Sequence, residues 1–115
     1  MTRPHLVPWT EAGSLIFVSG QLPFNASGAI SATDIGNQTQ QALKNLESVL
    51  RSAGAGLSDV IKTTAWLAKA ADFATFNETY AAAFGEVKPA RSTVVCALVL
   101  PEALVEIEAV ARRPG

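Results

Sequence analysis

Charged side chains stand inside two apolar runs near the end of the chain. "PARSTVVCALVLPEALVEIEAVA", residues 89–111, places Arg91 at the head of one run and a Glu106-x-Glu108 pair in the other. Charge within a sheet is solvated, paired or used, and a guanidinium within reach of a carboxylate could share one small polar ligand. The outcome depends on which face of the sheet each residue takes. Of the other polar groups, Ser19-Gly20 reads as a bulge or turn before it reads as an anion-binding nest, and Asn77 lies on the polar flank of a predicted helix. Metal and thiol chemistry lack the residues they need. One cysteine, Cys96, and one histidine, His5, exclude an intramolecular disulfide and any zinc site of ordinary spacing. Cys96 has no evident histidine or helix terminus to lower its pKa and reads as a small buried hydrophobe. His5, near the terminus, is assigned no role.

The elements that must position these residues follow from periodicity. "SLIFVSGQLPFNASGAIS" alternates and then breaks at Pro23, Asn25 and Gly28, which predicts a strand and a short return strand around a turn. From Asp34 to Ala53 the apolar residues Ala42, Leu46, Val49 and Leu50 recur at helical spacing, with Asp34 or Thr33 as N-cap and Gly54 closing the helix. "DVIKTTAWLA", residues 59–68, is short and β-branched and reads as a strand. Asp72 could cap a second helix in which Phe73, Phe76, Tyr80 and Phe84 form one apolar stripe, ended by Gly85 and Pro89. Strands over 91–99 and 104–111 close the chain. The order is β-β-α-β-α-β-β over one domain, residues 1–115: a two-layer α+β fold with one mixed sheet and two helices on one face.

Strand parity then distributes the charges. Val105, Ile107 and Ala109 should pack under the helices, leaving Glu106 and Glu108 on the helix-free face. In the preceding strand Val94, Cys96 and Leu98 make the better core face, which sends Arg91, Thr93, Val95, Ala97 and Val99 to the helix-free side. Thr64 and Trp66 join them if Ile61, Ala65 and Leu67 face the helices. So apolar a face suggests a sheet packed on another copy of the chain, with a polar pocket at the seam. A plain hairpin of the last two strands would put Arg91 and Glu106 roughly 16 Å apart, at about 3.3 Å per residue. Sharing a ligand therefore requires an intervening strand or a neighbouring chain.

Composition narrows the partners. The chain of 115 residues is 49% hydrophobic and 17% charged, which excludes disorder and favours an oligomer. A net charge of −1 with no run of Lys or Arg offers nothing to a phosphate backbone, so no nucleic acid is expected. The opening "MTRPHLVPWTEAG" does not read as a signal peptide or a bilayer-spanning stretch, so neither is expected, and the cytoplasm is the expected compartment.

"SGQLP", "QTQQALKNLESVLRSAGAGLSDVIKTTAWLA", "DFATFNETYAAAF", "PARSTV" and "LPEALVEIEAVA" together resemble, in order and spacing, the Rid family of reactive-intermediate deaminases, also called the YjgF family. The resemblance runs from about Leu15 to Ala111. It implies a chorismate-mutase-like fold with the last strand inserted into the sheet, and a homotrimer with ligand pockets at the subunit boundaries. It implies hydrolysis of enamines and imines such as 2-aminoacrylate to 2-oxo acids and ammonia, with no cofactor. Arg91 takes the position that holds the substrate carboxylate, which a planar guanidinium can bind through two hydrogen bonds. Glu106 takes that of the acid that positions water and handles protons. Asn77, Ser19 and Gly20 match supporting polar contacts, whereas Glu108 matches none. Two departures stand out: Thr93 replaces a cysteine of many deaminases, and Leu6 or its apolar neighbours replace a pocket tyrosine, with Trp9 as a partial stand-in. The family also includes proteins described as translation inhibitors or endoribonucleases. The alternatives to a deaminase are thus a trimeric binder of small carboxylates and an RNA-cleaving inhibitor.

Overall fold

The computed structural model describes residues 4–115. Five strands form one mixed sheet: β1 (Trp9–Ala12), β2 (Leu15–Gln21), β3 (Val60–Leu67), β4 (Ala90–Val95) and β5 (Val105–Arg112). Two helices, α1 (Ile35–Ser52) and α2 (Phe73–Phe84), accompany them. The strand order is β1-β2-β5-β3-β4. The last strand therefore lies in the centre, antiparallel to both β2 and β3, while β4 pairs with β3 in parallel at the edge. The element count and order agree with expectation, but two placements differ. The opening hairpin turns at Gly13, whose φ of +58° suits the turn, and pairs β1 with β2. The expected return strand after Pro23 is instead a loop, because Asn25 folds the chain locally through hydrogen bonds to the backbone N–H groups of Ser27 and Ala29. β4 also stops at Val95, four residues early.

Helix α1 starts where Asp34 accepts a hydrogen bond from the Asn37 backbone N–H at 3.0 Å. It ends before Gly54, whose φ of +86° few other residues would accept. Its inner side buries Ile35, Ala42, Leu43, Leu46 and Leu50 over β2 and β5. From the sheet, Ile16, Val18, Ala65, Leu67, Val105, Ile107 and Ala109 face this layer and are nearly inaccessible. The bulge at Ile61 shifts the register there, so Val60 and Thr63 turn inward and Ile61, expected inside, is exposed. Among the described residues no helix is long and apolar enough to cross a membrane.

Two polar anchors inside this layer position the site. Gln38, with only 1% of its surface exposed, donates to the Ala32 and Glu102 carbonyls and accepts from the Leu104 N–H at 2.7 Å. It thereby fixes the chain just before β5. On β3, Thr63 bonds the Tyr80 hydroxyl of α2 at 2.7 Å, pinning that helix over the sheet. Because both partners are buried, removing one hydroxyl leaves the other unsatisfied. We expect Tyr80→Phe or Thr63→Val alone to destabilise by about 1–3 kcal/mol, and the double substitution to be less destabilising than the sum. Denaturant unfolding of the four proteins checks this; strict additivity would show that the bond does not couple the layers.

Candidate active site

Arg91 lies on β4 beside Thr63 of β3, and Thr63 is fully buried beneath α2. The guanidinium is therefore on the helix-covered side of the sheet, which corrects the expectation that it shares a face with Glu106. Its carbon lies 4.8 Å from the Tyr80 ring centroid, 5.5 Å from that of Phe76 and 5.6 Å from that of Phe73. Aliphatic content alone misplaces Arg91, because aromatic ring faces attract a cation and let an arginine occupy the inner side. Thr93 follows on the same side, half-buried, and Val95 shares that parity but is exposed at the strand end. Val94 and Cys96, expected in the core, are both exposed; with Arg91 turned to the helices, Val94 pairs with Trp66 and takes the helix-free face. Ala97 and Val99 lie outside any strand.

An opening of about 400 Å³ adjoins the guanidinium, with Asn77, Tyr80, Lys88 and Pro89 among its lining residues. The helix spacing of Asn77 and Tyr80 and the turn through Gly85 to Pro89 bring these groups to one edge. Burial pushes the Tyr80 phenol up, opposed by its bond with Thr63 and by the positive charge of Arg91. Among the described residues Arg91 makes no ion pair; the pairs present are Arg51–Glu47 and Arg113–Glu11.

Glu106 stands on the other face, beside Trp66 of β3. The register between β2 and β5 slips between Val18 and Gln21, so Ser19-Gly20 is a bulge. That bulge brings the Gly20 backbone so close that a Cβ there would overlap Glu106 Oε2. Ser19 is held by donating from Oγ to the Val7 carbonyl at 2.6 Å. Next to it Leu6, Val7, Thr10 and Phe17 line a hollow of about 300 Å³. Trp9 pairs with Val18 and packs against the core, so it does not stand in for a pocket tyrosine. Burial, and secondarily the charge of Glu108, push the Glu106 carboxyl above the usual range.

The structure thus gathers the candidate residues into two groups. Arg91, Thr93 and Asn77 share the β4–α2 edge, whereas Glu106, Ser19 and Gly20 share the helix-free face. β3 separates them. Sequence reasoning missed the aromatic platform under Arg91, although the Phe/Tyr stripe was visible as core, and missed the contact between Gly20 and Glu106, which no local pattern signals. A larger trough of about 540 Å³ between α1 and α2, lined in part by Gln40, Lys44, Glu47 and Glu78, contains none of these residues.

The sequence model of the family described as Endoribonuclease L-PSP matches residues 2–113. A RutC family protein of Pyrococcus horikoshii is 45% identical over 102 residues, 88% of this chain and 81% of the relative. The 2-iminobutanoate/2-iminopropanoate deaminase of Salmonella typhimurium is 37% identical over 110 residues, covering 93% of this chain and 86% of the enzyme. The crystal structure of Escherichia coli TdcF with bound serine superposes with a TM-score of 0.89 at 35% identity, covering 98% of this chain and 91% of that one. This chain belongs to the Rid, or YjgF, family, and its two-layer architecture is the chorismate-mutase-like fold.

The raised Glu106 carboxyl carries a stability consequence. The folded chain holds this proton more tightly than the unfolded chain, so native stability falls as pH rises from the unfolded value through the folded one. Glu106→Gln should therefore be more stable than the wild type at neutral pH and lose that advantage in acid. Urea unfolding at both conditions checks this; a variant less stable at neutral pH would show that contacts in the fold favour the ionised carboxylate.

Proposed function

We propose that this protein hydrolyses small carboxylate-bearing imines and enamines, of the 2-aminoacrylate type, to 2-oxo acids and ammonia. The site would form where the Arg91 edge of one subunit meets the Glu106 face of the next in a homotrimer. The observation that carries this reading is the half-buried Arg91 guanidinium, stacked on rings and without an anionic partner among the described residues. A cation so placed is suited to an anionic ligand. Support comes also from the deaminase of Salmonella typhimurium, at 37% identity, and from TdcF, whose bound serine carries a carboxylate. The mixed helix-free face, with exposed Phe17 and Val94 beside Glu106 and Lys62, suits burial against another subunit.

In the proposed reaction Arg91 holds the carboxylate and Asn77 and Thr93 border it. Glu106 accepts a proton from water as the oxygen adds to the imine carbon, then returns it to nitrogen. In the resulting carbinolamine Glu106 takes the hydroxyl proton and delivers it to the amino nitrogen, so that ammonia leaves as the C–N bond breaks and the C=O of the 2-oxo acid forms. A carboxyl raised by burial suits this two-way proton transfer. No cofactor is needed, because the imine carbon is already electrophilic. Leu6 and Val7 present apolar surface beside the Ser19-Gly20 bulge, so this pocket lacks the tyrosine hydroxyl of many family deaminases. RNA cleavage is disfavoured, since a phosphate backbone would meet Glu106 and Glu108 on a chain of net charge −1. The cytoplasm is the proposed compartment.

The test follows 2-iminopropanoate, generated in situ, with the trimer established by light scattering. Wild-type protein should speed its decay. Arg91→Lys keeps charge but not the fork and should lose about a hundredfold. Glu106→Gln should lose turnover while still binding pyruvate, and Glu108→Gln should be nearly unaffected. Decay unchanged by the wild type would leave a carboxylate binder, and equal losses in the two glutamate variants would mean that the strand face is merely solvated.

A further inference from the structure

A guanidinium has two flat faces and an in-plane rim of five N–H donors. At Arg91 the rings of Phe73, Phe76 and Tyr80 all lie within 5.6 Å of the guanidinium carbon. The one hydroxyl among these rings, on Tyr80, is bonded to Thr63 Oγ1, and among the described residues no hydrogen bond runs to it from the guanidinium. The platform therefore attracts the charge without consuming its hydrogen bonds. Phe76 and Tyr80 are buried and serve the core as well. Phe73 differs: at the first residue of α2 it is 43% exposed, yet its ring lies 6.4 Å from that of Phe76, tilted by 42°, and flanks the arginine. Burial in the core does not account for an aromatic residue at this place.

We propose that Phe73 is a positioning residue for substrate binding: its ring completes the platform that fixes the plane of Arg91, so that the donor rim meets the ligand carboxylate edge-on. The proposal rests on the carboxylate-clamp reading of Arg91 given above. An unsupported arginine would give up rotamer freedom on binding, whereas the platform removes that freedom beforehand. Loss of the ring should therefore weaken carboxylate binding and raise KM, while leaving kcat at saturation, because proton transfer at Glu106 is not touched.

The experiment compares pyruvate binding by calorimetry and imine kinetics for the wild type, Phe73→Leu, Phe73→Trp and Arg91→Lys. Phe73→Leu keeps apolar bulk without a π face; it should bind pyruvate about fivefold more weakly, with KM raised to match, kcat near wild type and an unchanged melting temperature. Phe73→Trp should restore affinity. Should Phe73→Leu melt early, Phe73→Met gives the same ring-free comparison. Wild-type affinity in the ring-free variants, or a loss that Trp does not restore, overturns the platform role provided Arg91→Lys still weakens binding. If Arg91→Lys also binds normally, the carboxylate-clamp reading itself fails, a separate result.

Discussion

The central place of β5 is the constraint on which the rest of the structure depends. This last strand hydrogen-bonds to β2 on one side and β3 on the other, and its inward residues Val105, Ile107, Ala109 and Ala111 are almost wholly buried. A strand paired along both edges cannot slip without turning its apolar side to water, since one residue of slippage exchanges the faces. Its register thereby fixes Glu106 and Glu108 in the middle of the helix-free face. It also forces β4 to the edge. The connection from Cys96 to Leu104 must cross back past the end of β3, and it is tied there by Cys96 N–H to the Leu67 carbonyl and by Ala68 N–H to the Leu104 carbonyl. Gln38 locks the end of that crossing with three hydrogen bonds from one buried amide.

Placing β4 at the edge decides the chemistry available to Arg91. In a central strand its long side chain would need a buried counter-charge. At the edge it can lie along α2, over rings, with its donors toward an opening. The same topology puts Glu106 on the opposite face of the sheet, so the two candidate groups of one protomer stand apart, one at its edge and one on its open face. A subunit boundary is the proposed place for the halves to meet.

Much of this was legible in the sequence, and the rest was hidden for identifiable reasons. Local signals carried the helices: Asp34 and Gly54 bracket α1, and the Phe/Tyr stripe defines α2. Short length and β-branched residues carried β3, and the parity of β5 correctly separated Glu106 and Glu108 from the core. The pairing of β5 was not local information. "LPEA" reads as a hairpin turn, and only the family resemblance implied a strand inserted elsewhere, because contacts between distant segments leave no periodic trace. The face of Arg91 was misassigned because an edge strand does not obey an aliphatic count, and its partner rings lie on a different element. Gln38 was overlooked although it falls among the buried positions of α1, where a polar residue signals a fixed hydrogen-bonding task.

The central claim is that Arg91 of one subunit and Glu106 of another complete each site. Subunit mixing tests it directly: inactive Arg91→Lys and Glu106→Gln proteins are combined, unfolded and refolded together, then assayed on 2-iminopropanoate. If the residues come from different subunits, random assembly restores both intact residues at about one boundary in four, with about a quarter of wild-type activity. If both come from the same subunit, no mixed assembly contains an intact site. A mixture as inactive as its parents, with mixed oligomers shown to have formed, would contradict the account.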